Sequence, residues 1–377
     1  MRRLFLRPFL GPAFFMRGGR LSSADSRSPC NQISGHTISV QENPPMKQGL
    51  VLTPPDPATL ARWSSLAEET GFDAIWVTDS QSLYREVFAS VGVCLSSTRQ
   101  IPCGPCVINP ITRHPAVAAS AIATLSEMHG ERAVLGLGSG DSAVLNLGMK
   151  PVRVARVRAY LIALRSLLEE GRAEYEGRAC ILNWFKRRVP LYLAAEGPRM
   201  LRLAGELADG VIVGSGLVPE MVRDSKALIE EGARAAGRRI EDIDLWWMAK
   251  VNVHEDGERA RREIRAGLAG SAHHAFNFTL EGKHVPPGMA GPIRELRRRY
   301  VFSEHAMAEK DANAALVDEL GLRGFLLERF AIAGTPEECR ARLGELEGMG
   351  IENIRLTAHV PDRPAFMRLW SEEVMGR

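Results

Sequence analysis

No apolar run in this chain approaches the roughly 20 residues that a membrane-spanning helix needs, so a bilayer is not an expected partner. Cysteine is scarce, with six in 377 residues. So few, spread over so long a chain, do not make a secreted disulfide framework, and a reducing cytoplasm is the expected home. Net charge is nearly absent as well. The formal balance is +3, but residues 1–45 alone hold six Arg against Asp25 and Glu42. Removing these from the 48 basic and 45 acidic residues leaves 42 and 43. A body so balanced has no electrostatic footprint for nucleic acid.

Acid is missing altogether before Asp25, where the chain reads MRRLFLRPFLGPAFFMRGGRLSS. Three readings of residues 1–45 compete: a transit-type targeting segment, a disordered extension, or a non-native upstream extension with Met46 as the natural start. The last two together are favoured, because MKQGLVLTP from Met46 reads at once as a first strand.

From there the chain has a rhythm. Strand-like apolar runs at 49–53, 74–77, 102–108, 133–137, 190–194, 209–213, 243–253 and 354–358 alternate with segments of helical periodicity. A further short run at 330–333 ends at Gly334-Thr335-Pro336, where Thr335 can cap a helix with Pro336 at its first position. Residues 171–188 form a polar excursion, and 270–325 break the rhythm. Eight strand–helix units in one domain spanning residues 46–377 predict an α/β fold, a closed (β/α)8 TIM barrel. The 270–325 stretch is expected as an inserted helical segment near the carboxyl-terminal mouth. It and the 171–188 excursion are expected to roof the pocket.

The loops after the strands carry the chemistry, since ligands of such folds bind at the carboxyl edge. Gly136-Leu137-Gly138-Ser139-Gly140-Asp141 follows a strand. A dinucleotide fingerprint needs a third glycine that opens a helix and an acid about 20 residues on. Position 141 is Asp, and no helix is expected to open directly there. The better reading is a tight turn whose backbone approaches a flat or phosphorylated ligand. Cys103-Gly104-Pro105-Cys106 copies a thioredoxin redox loop. However, Val107, Ile108 and Asn109-Pro110 cannot continue the helix that such chemistry needs, so both cysteines read as small buried strand residues. Asp79 and Asp141 both stand just past strand ends, where a carboxylate can serve as general acid or base or simply cap a helix. His114 reads as structural, and His273 and His274 read as solvated loop residues. No metal site is expected.

Taken together, GFDAIWVTDS, INPITRHPAVAASAIATLSEMHGERAVLGLGSGDSAV, VPLYLAAEGPRMLRLAGELADGVIVGSG and FAIAGTPEECRARLGELEGMGIENIRL resemble the luciferase-like flavin and deazaflavin superfamily. Within it they resemble the branch using coenzyme F420, such as methylenetetrahydromethanopterin reductases and F420-dependent sugar-phosphate and alcohol dehydrogenases. The resemblance implies a barrel with the cofactor ring across its mouth. Asp79, with Ser80 next to it, would lie beside the ring. Cys106-Val107 falls where relatives carry a cis bond in a bulge behind the ring, and Asn109 would contact the ring's polar edge. Gly138 and Ser139 belong to the glycine turn, and Asp141 falls where relatives place an acidic catalytic residue. Ala194, Ala195, Glu196 and Gly197, with Gly214, Ser215 and Gly216, would line the ring and phosphate side. Several F420 dehydrogenases have a His after the strand-two Asp and a Trp a few residues later. Here these are Ser80 and Tyr84, which puts His-assisted alcohol oxidation in doubt. Reduction of a pterin or of an activated C=C or C=N bond stays open.

The implied function is an F420-dependent oxidoreductase moving a hydride between deazaflavin C5 and a small-molecule substrate. The alternatives are an FMN-dependent luciferase-like monooxygenase using reduced flavin and oxygen, and a silent relative that only binds a flavin. The resemblance also implies a homodimer.

Overall fold

The computed structural model describes residues 45–305 and 312–377, and the expectations for residues 1–44 lie outside these. The strands in chain order are β1 (Lys47–Leu52), β2 (Ala74–Val77), β3 (Cys103–Pro105), β4 (Leu135–Leu137), β5 (Arg172–Tyr175), β6 (Arg178–Ile181), β7 (Leu191–Ala195), β8 (Gly210–Val213), β9 (Asp244–Val253), β10 (Ala331–Gly334) and β11 (Asn353–Thr357). Between them run α1 (Pro57–Glu69), α2 (Val87–Ser97), α3 (Pro115–His129), α4 (Ser142–Leu145), α5 (Val154–Glu170), α6 (Pro198–Leu207), α7 (Pro219–Ala235), α8 (Gly257–Glu263), α9 (Arg265–Ala275), α10 (Ala290–Arg299), α11 (Ala312–Glu319), α12 (Arg323–Phe330), α13 (Pro336–Gly348) and α14 (Arg363–Leu369).

Eight strands form the barrel in the order β3-β2-β1-β11-β9-β8-β7-β4. Parallel bridges Cys103↔Ala133 and Ile108↔Leu137 close the ring between β3 and β4. The (β/α)8 expectation therefore holds. Because side chains alternate across a strand, each stave feeds two cores. Leu50, Leu52, Ile75, Val77, Leu135 and Leu193 pack outward under the helices. Val51, Trp76, Cys106, Val134, Ile212 and Trp246 point into the barrel.

At the amino-terminal end, Trp76 packs edge-on against Tyr192 and Trp246, with ring centroids 5.1 and 5.9 Å away. The Tyr192 hydroxyl and the Trp246 indole N–H both donate to Asp244, each at 2.7 Å. Gly49 makes room for this plug, since a Cβ there would lie 2.8 Å from the Trp246 ring. These aromatics line a hollow of about 220 Å³ at that end, and a separate cavity lies toward the carboxyl ends of the strands.

Two departures from the sequence reading, and the one run it left outside the eight staves, have local causes. The run at 330–333 stays outside the ring. As β10 it pairs with Lys250–Val253 of β9, beyond the stretch of β9 that pairs with β8, and a four-residue apolar run looks the same in either place. Residues 171–188 fold as the antiparallel β5–β6 hairpin. Its Tyr175 sits edge-on to Tyr160 of α5, with ring centroids 5.8 Å apart, and no residue of the hairpin lines the pocket. Finally, a one-turn helix, α4, does open at Ser142, directly after the glycine turn.

The Thr335 cap is present as a full capping box, Thr335 accepting from the Glu338 N–H and Glu338 from the Thr335 N–H.

Candidate active site

The mouth of the barrel holds a cavity of 170 Å³, walled by the carboxyl ends of the staves and covered by α9 and the segment at His305. One wall is the β3–β4 junction. The Cys106–Val107 peptide is cis, and both side chains line the cavity. Gly136 and Gly138 are small because of Val107. A Cβ at 136 would lie 2.5 Å from the Pro105 carbonyl and 3.0 Å from Val107, and one at 138 would lie 2.7 Å from Val107. These two glycines therefore seat the bulge, and Gly138 also lines the cavity. Gly140, at φ +103°, turns the chain into Asp141.

Asn109 follows the bulge and is buried. Its side-chain oxygen accepts from the N–H groups of Ile111 and Thr112, each at 3.0 Å. That fixes the amide, whose buried NH₂ end has no partner and lies at the cavity wall.

Asp79 lines the cavity but is not free. Arg113 clamps it, with NH1 2.5 Å from Oδ2 and NH2 3.3 Å from Oδ1, while NH2 also reaches Glu86 at 2.8 Å. Burial pushes the Asp79 carboxyl up from its ordinary value, and the Arg113 guanidinium pulls against it.

Asp141 is the centre of a second network. The Nε2 atoms of His274 and His305 approach its Oδ2 at 4.0 and 3.9 Å. Both distances exceed direct hydrogen bonding and suit a bridging water or ligand atom. His274 Nδ1 lies 2.7 Å from Glu196 Oε1, and His305 Nδ1 lies 2.7 Å from the Tyr300 hydroxyl. Burial would raise the Asp141 carboxyl, but His274, His305, His273 and the Ser142 N–H outweigh it and hold the group below its ordinary value. The His274 side chain is 44% exposed, so desolvation by the surrounding protein counts for little there, and Glu196 and then Asp141 bring its pKa up to about 9. His305 goes the other way, lowered chiefly by burial.

The histidines at 273 and 274 are therefore helical rather than loop residues, and of the two only His274 is solvent-exposed. Both lie on α9. His273 is buried and stacked on Tyr300 at 4.5 Å, and burial brings it down to about 4. The stretch after β9 folds as two helices, α8 and α9, and the second carries His274 to the cavity.

Of the residues expected at the site, Asp79, Cys106, Val107, Asn109, Gly138, Ser139, Asp141, Ala194, Ala195, Glu196 and Gly214 all line this cavity. Four others do not. Ser80 is buried behind the wall with its hydroxyl unpartnered. Gly197 caps α6 outside the cavity. The Ser215 hydroxyl is spent on Ser225 at 2.8 Å, and its carbonyl accepts from the buried Arg329 at 2.9 Å. Gly216 has φ +125°, and a Cβ there would lie 2.8 Å from Arg329.

His274 was expected only as a loop residue, and Arg113, His305, Lys250 and Arg355 were not expected at the site at all. For the last two a signal existed, because each is a charge inside a strand that is otherwise apolar and buried.

A family model described as Luciferase-like monooxygenase matches residues 35–353. The chain is 29% identical over 342 residues to the 5,10-methylenetetrahydromethanopterin reductase of Methanolobus tindarius, covering 88% of this chain and 100% of that protein. It is 30% identical over 329 residues to the protein of that name from Archaeoglobus fulgidus, covering 84% and 95%. Among solved structures, the coenzyme F420 dependent tetrahydromethanopterin reductase from Methanopyrus kandleri matches with a TM-score of 0.72 at 27% identity, covering 88% of this chain and 99% of that one.

Proposed function

The chain belongs to the luciferase-like monooxygenase family, and from that premise we propose that it is a coenzyme F420-dependent oxidoreductase. It moves a hydride between C5 of the deazaflavin and a small organic substrate. The observation that carries this reading is the Asp141 network beside the Val107 bulge and the unpartnered Asn109 amide. The resemblance to relatives named as F420-dependent or as methylenetetrahydromethanopterin reductases supports it.

The residues fit the cofactor ring. Val107 offers an apolar face, Gly138 and Ala194 beside it keep that wall low, and the fixed Asn109 NH₂ has a donor to give to a ring carbonyl. When bound, the deazaflavin supplies two-electron hydride chemistry. The chain supplies position and protons. Asp141, held ionised, is an acceptor rather than a donor. His274, held charged by Glu196, is the donor, and its Nε2 faces Asp141 across a gap that one substrate atom or water can fill. Arg113 opposes the burial that pushes the Asp79 carboxyl up and holds it in place in the cavity wall.

The expected setting is the cytoplasm, where the five described cysteines remain unpaired. The expected assembly is a homodimer, built on exposed apolar side chains such as Val117 and Met128 of α3. Sedimentation equilibrium tests this, and a monomer across the micromolar range would exclude it.

The test of the function is anaerobic turnover of F420 followed by its visible absorbance. Asp141→Asn should still bind F420 while kcat falls by roughly 10²–10⁴. Normal turnover by this variant would remove Asp141 from the mechanism.

A further inference from the structure

The floor of the cavity carries two cations, Arg355 and Lys250, that no carboxylate contacts among the described residues. Arg355 of β11 is 4% exposed and points into the barrel. Its NH1 meets the Cys106 thiol, a weak acceptor, and its Nε has no partner. Thr357 shares that face two residues on. It stands in register with Lys250 of the neighbouring β9, and its hydroxyl is also buried and unpartnered. His359 follows, buried, with an unpartnered Nδ1. All of these line the cavity. Among the described residues, no carboxylate forms an ion pair with either cation. Glu196 and Asp141 act on Lys250 from across the cavity, but Glu196 is engaged by His274. Burial, then the Arg355 charge, brings Lys250 down to about 8.

An interior Arg with no anion beside it is a costly arrangement. Its planar fork matches the two oxygens of a carboxylate or of an equivalent flat edge. We propose that Arg355 and Lys250, with the Thr357 hydroxyl, form a receptor for a planar anion at the bottom of the cavity. The inference rests on the oxidoreductase reading for its context and concerns the same cavity. Two sources can supply that anion: the ionised edge of the deazaflavin ring, or a carboxylate on the substrate.

The experiment uses the full chain, freed of cofactor, as wild type, Arg355→Met, Arg355→Lys and Lys250→Met. Each is checked by circular dichroism and melting. Without ligand, Arg355→Met should melt no lower than wild type, because it removes a buried charge that no anion balances. One arm titrates the absorbance of bound F420, whose ring hydroxyl ionises visibly. A ring source predicts that wild type promotes this ionisation, that Arg355→Met abolishes the effect with at least roughly tenfold weaker binding, and that Arg355→Lys keeps part of it. The other arm measures binding of benzoate by calorimetry. A substrate source predicts binding to wild type that Arg355→Met loses, with ring ionisation unchanged. If Arg355→Met does not fold, Lys250→Met carries the same two readouts. A folded variant that leaves both ring ionisation and benzoate binding at wild-type values overturns the receptor. If wild type binds no F420 at all, the functional reading fails, and benzoate alone decides the receptor.

Discussion

Arg113→Met isolates the clamp on Asp79. The methionine keeps an apolar stem near Phe88, whose ring centroid lies 5.4 Å from the Arg113 guanidinium carbon, and removes the guanidinium with its bonds to Asp79 and to the exposed Glu86. The Asp79 side chain is 1% exposed, so it would be left as a buried, unpaired carboxylate. Breaking such a pair commonly costs about 3–5 kcal/mol. The cost has a ceiling, because the carboxyl can take up a proton instead. Holding a proton on a carboxyl whose ordinary value is 3.8 costs about 1.4 kcal/mol per pH unit. The ceiling is therefore about 4 kcal/mol at pH 7 and about 1.6 kcal/mol at pH 5. The sign follows from linkage. In the variant the folded pKa of Asp79 stands further above its unfolded value. Stability is then full below the unfolded value and is lost as pH rises through the folded one. Urea denaturation followed by tryptophan fluorescence should show a deficit more than twice as large at pH 7 as at pH 5. Arg113→Met combined with Asp79→Asn should flatten that dependence. A deficit equal at both pH values, or unchanged in the double variant, would refute the reasoning.

The raised pKa of His274 makes a second claim. Its proton is retained until pH rises through about 9, so the reductive rate should hold up to that pH and then fall. In Glu196→Gln the limb should move down toward the ordinary 6.5, and an unmoved limb in the pH profile of kcat/KM would contradict the assignment. Gly136→Ala places a Cβ 2.5 Å from the Pro105 carbonyl. It should cost about 1–3 kcal/mol in urea denaturation, as overpacking does, and should weaken cofactor binding through Val107. Its control is Gly344→Ala in α13, where nothing lies within 4 Å. That change should stabilise by about 0.5–1 kcal/mol.

How far the sequence alone reached depended on whether a residue's role was local. Asp79 and Asp141 could be found because each stands at the end of an apolar run, and strand ends define the mouth. The turn at Gly140 and the cap at Thr335 are likewise decided within a few residues. Arg113 escaped because its partner is 34 positions away and only barrel closure brings them together. His274 escaped because the break between α8 and α9 carries no Gly or Pro to announce it, and the helix then folds back over the mouth. Gly136 and Gly138 were noticed, but their cause, the Val107 side chain, belongs to the neighbouring stave. Lys250 and Arg355 were visible as charges in buried strands, and recognising them needed only the alternation rule applied to residues inside the barrel.

Equilibrium binding of F420 and FMN to the purified protein, side by side by fluorescence quenching, tests the central claim most directly. F420 should bind at micromolar or tighter affinity, and FMN much more weakly. Preference for FMN would move the protein to oxygen-using chemistry, and binding of neither would contradict the functional reading while leaving the barrel as described.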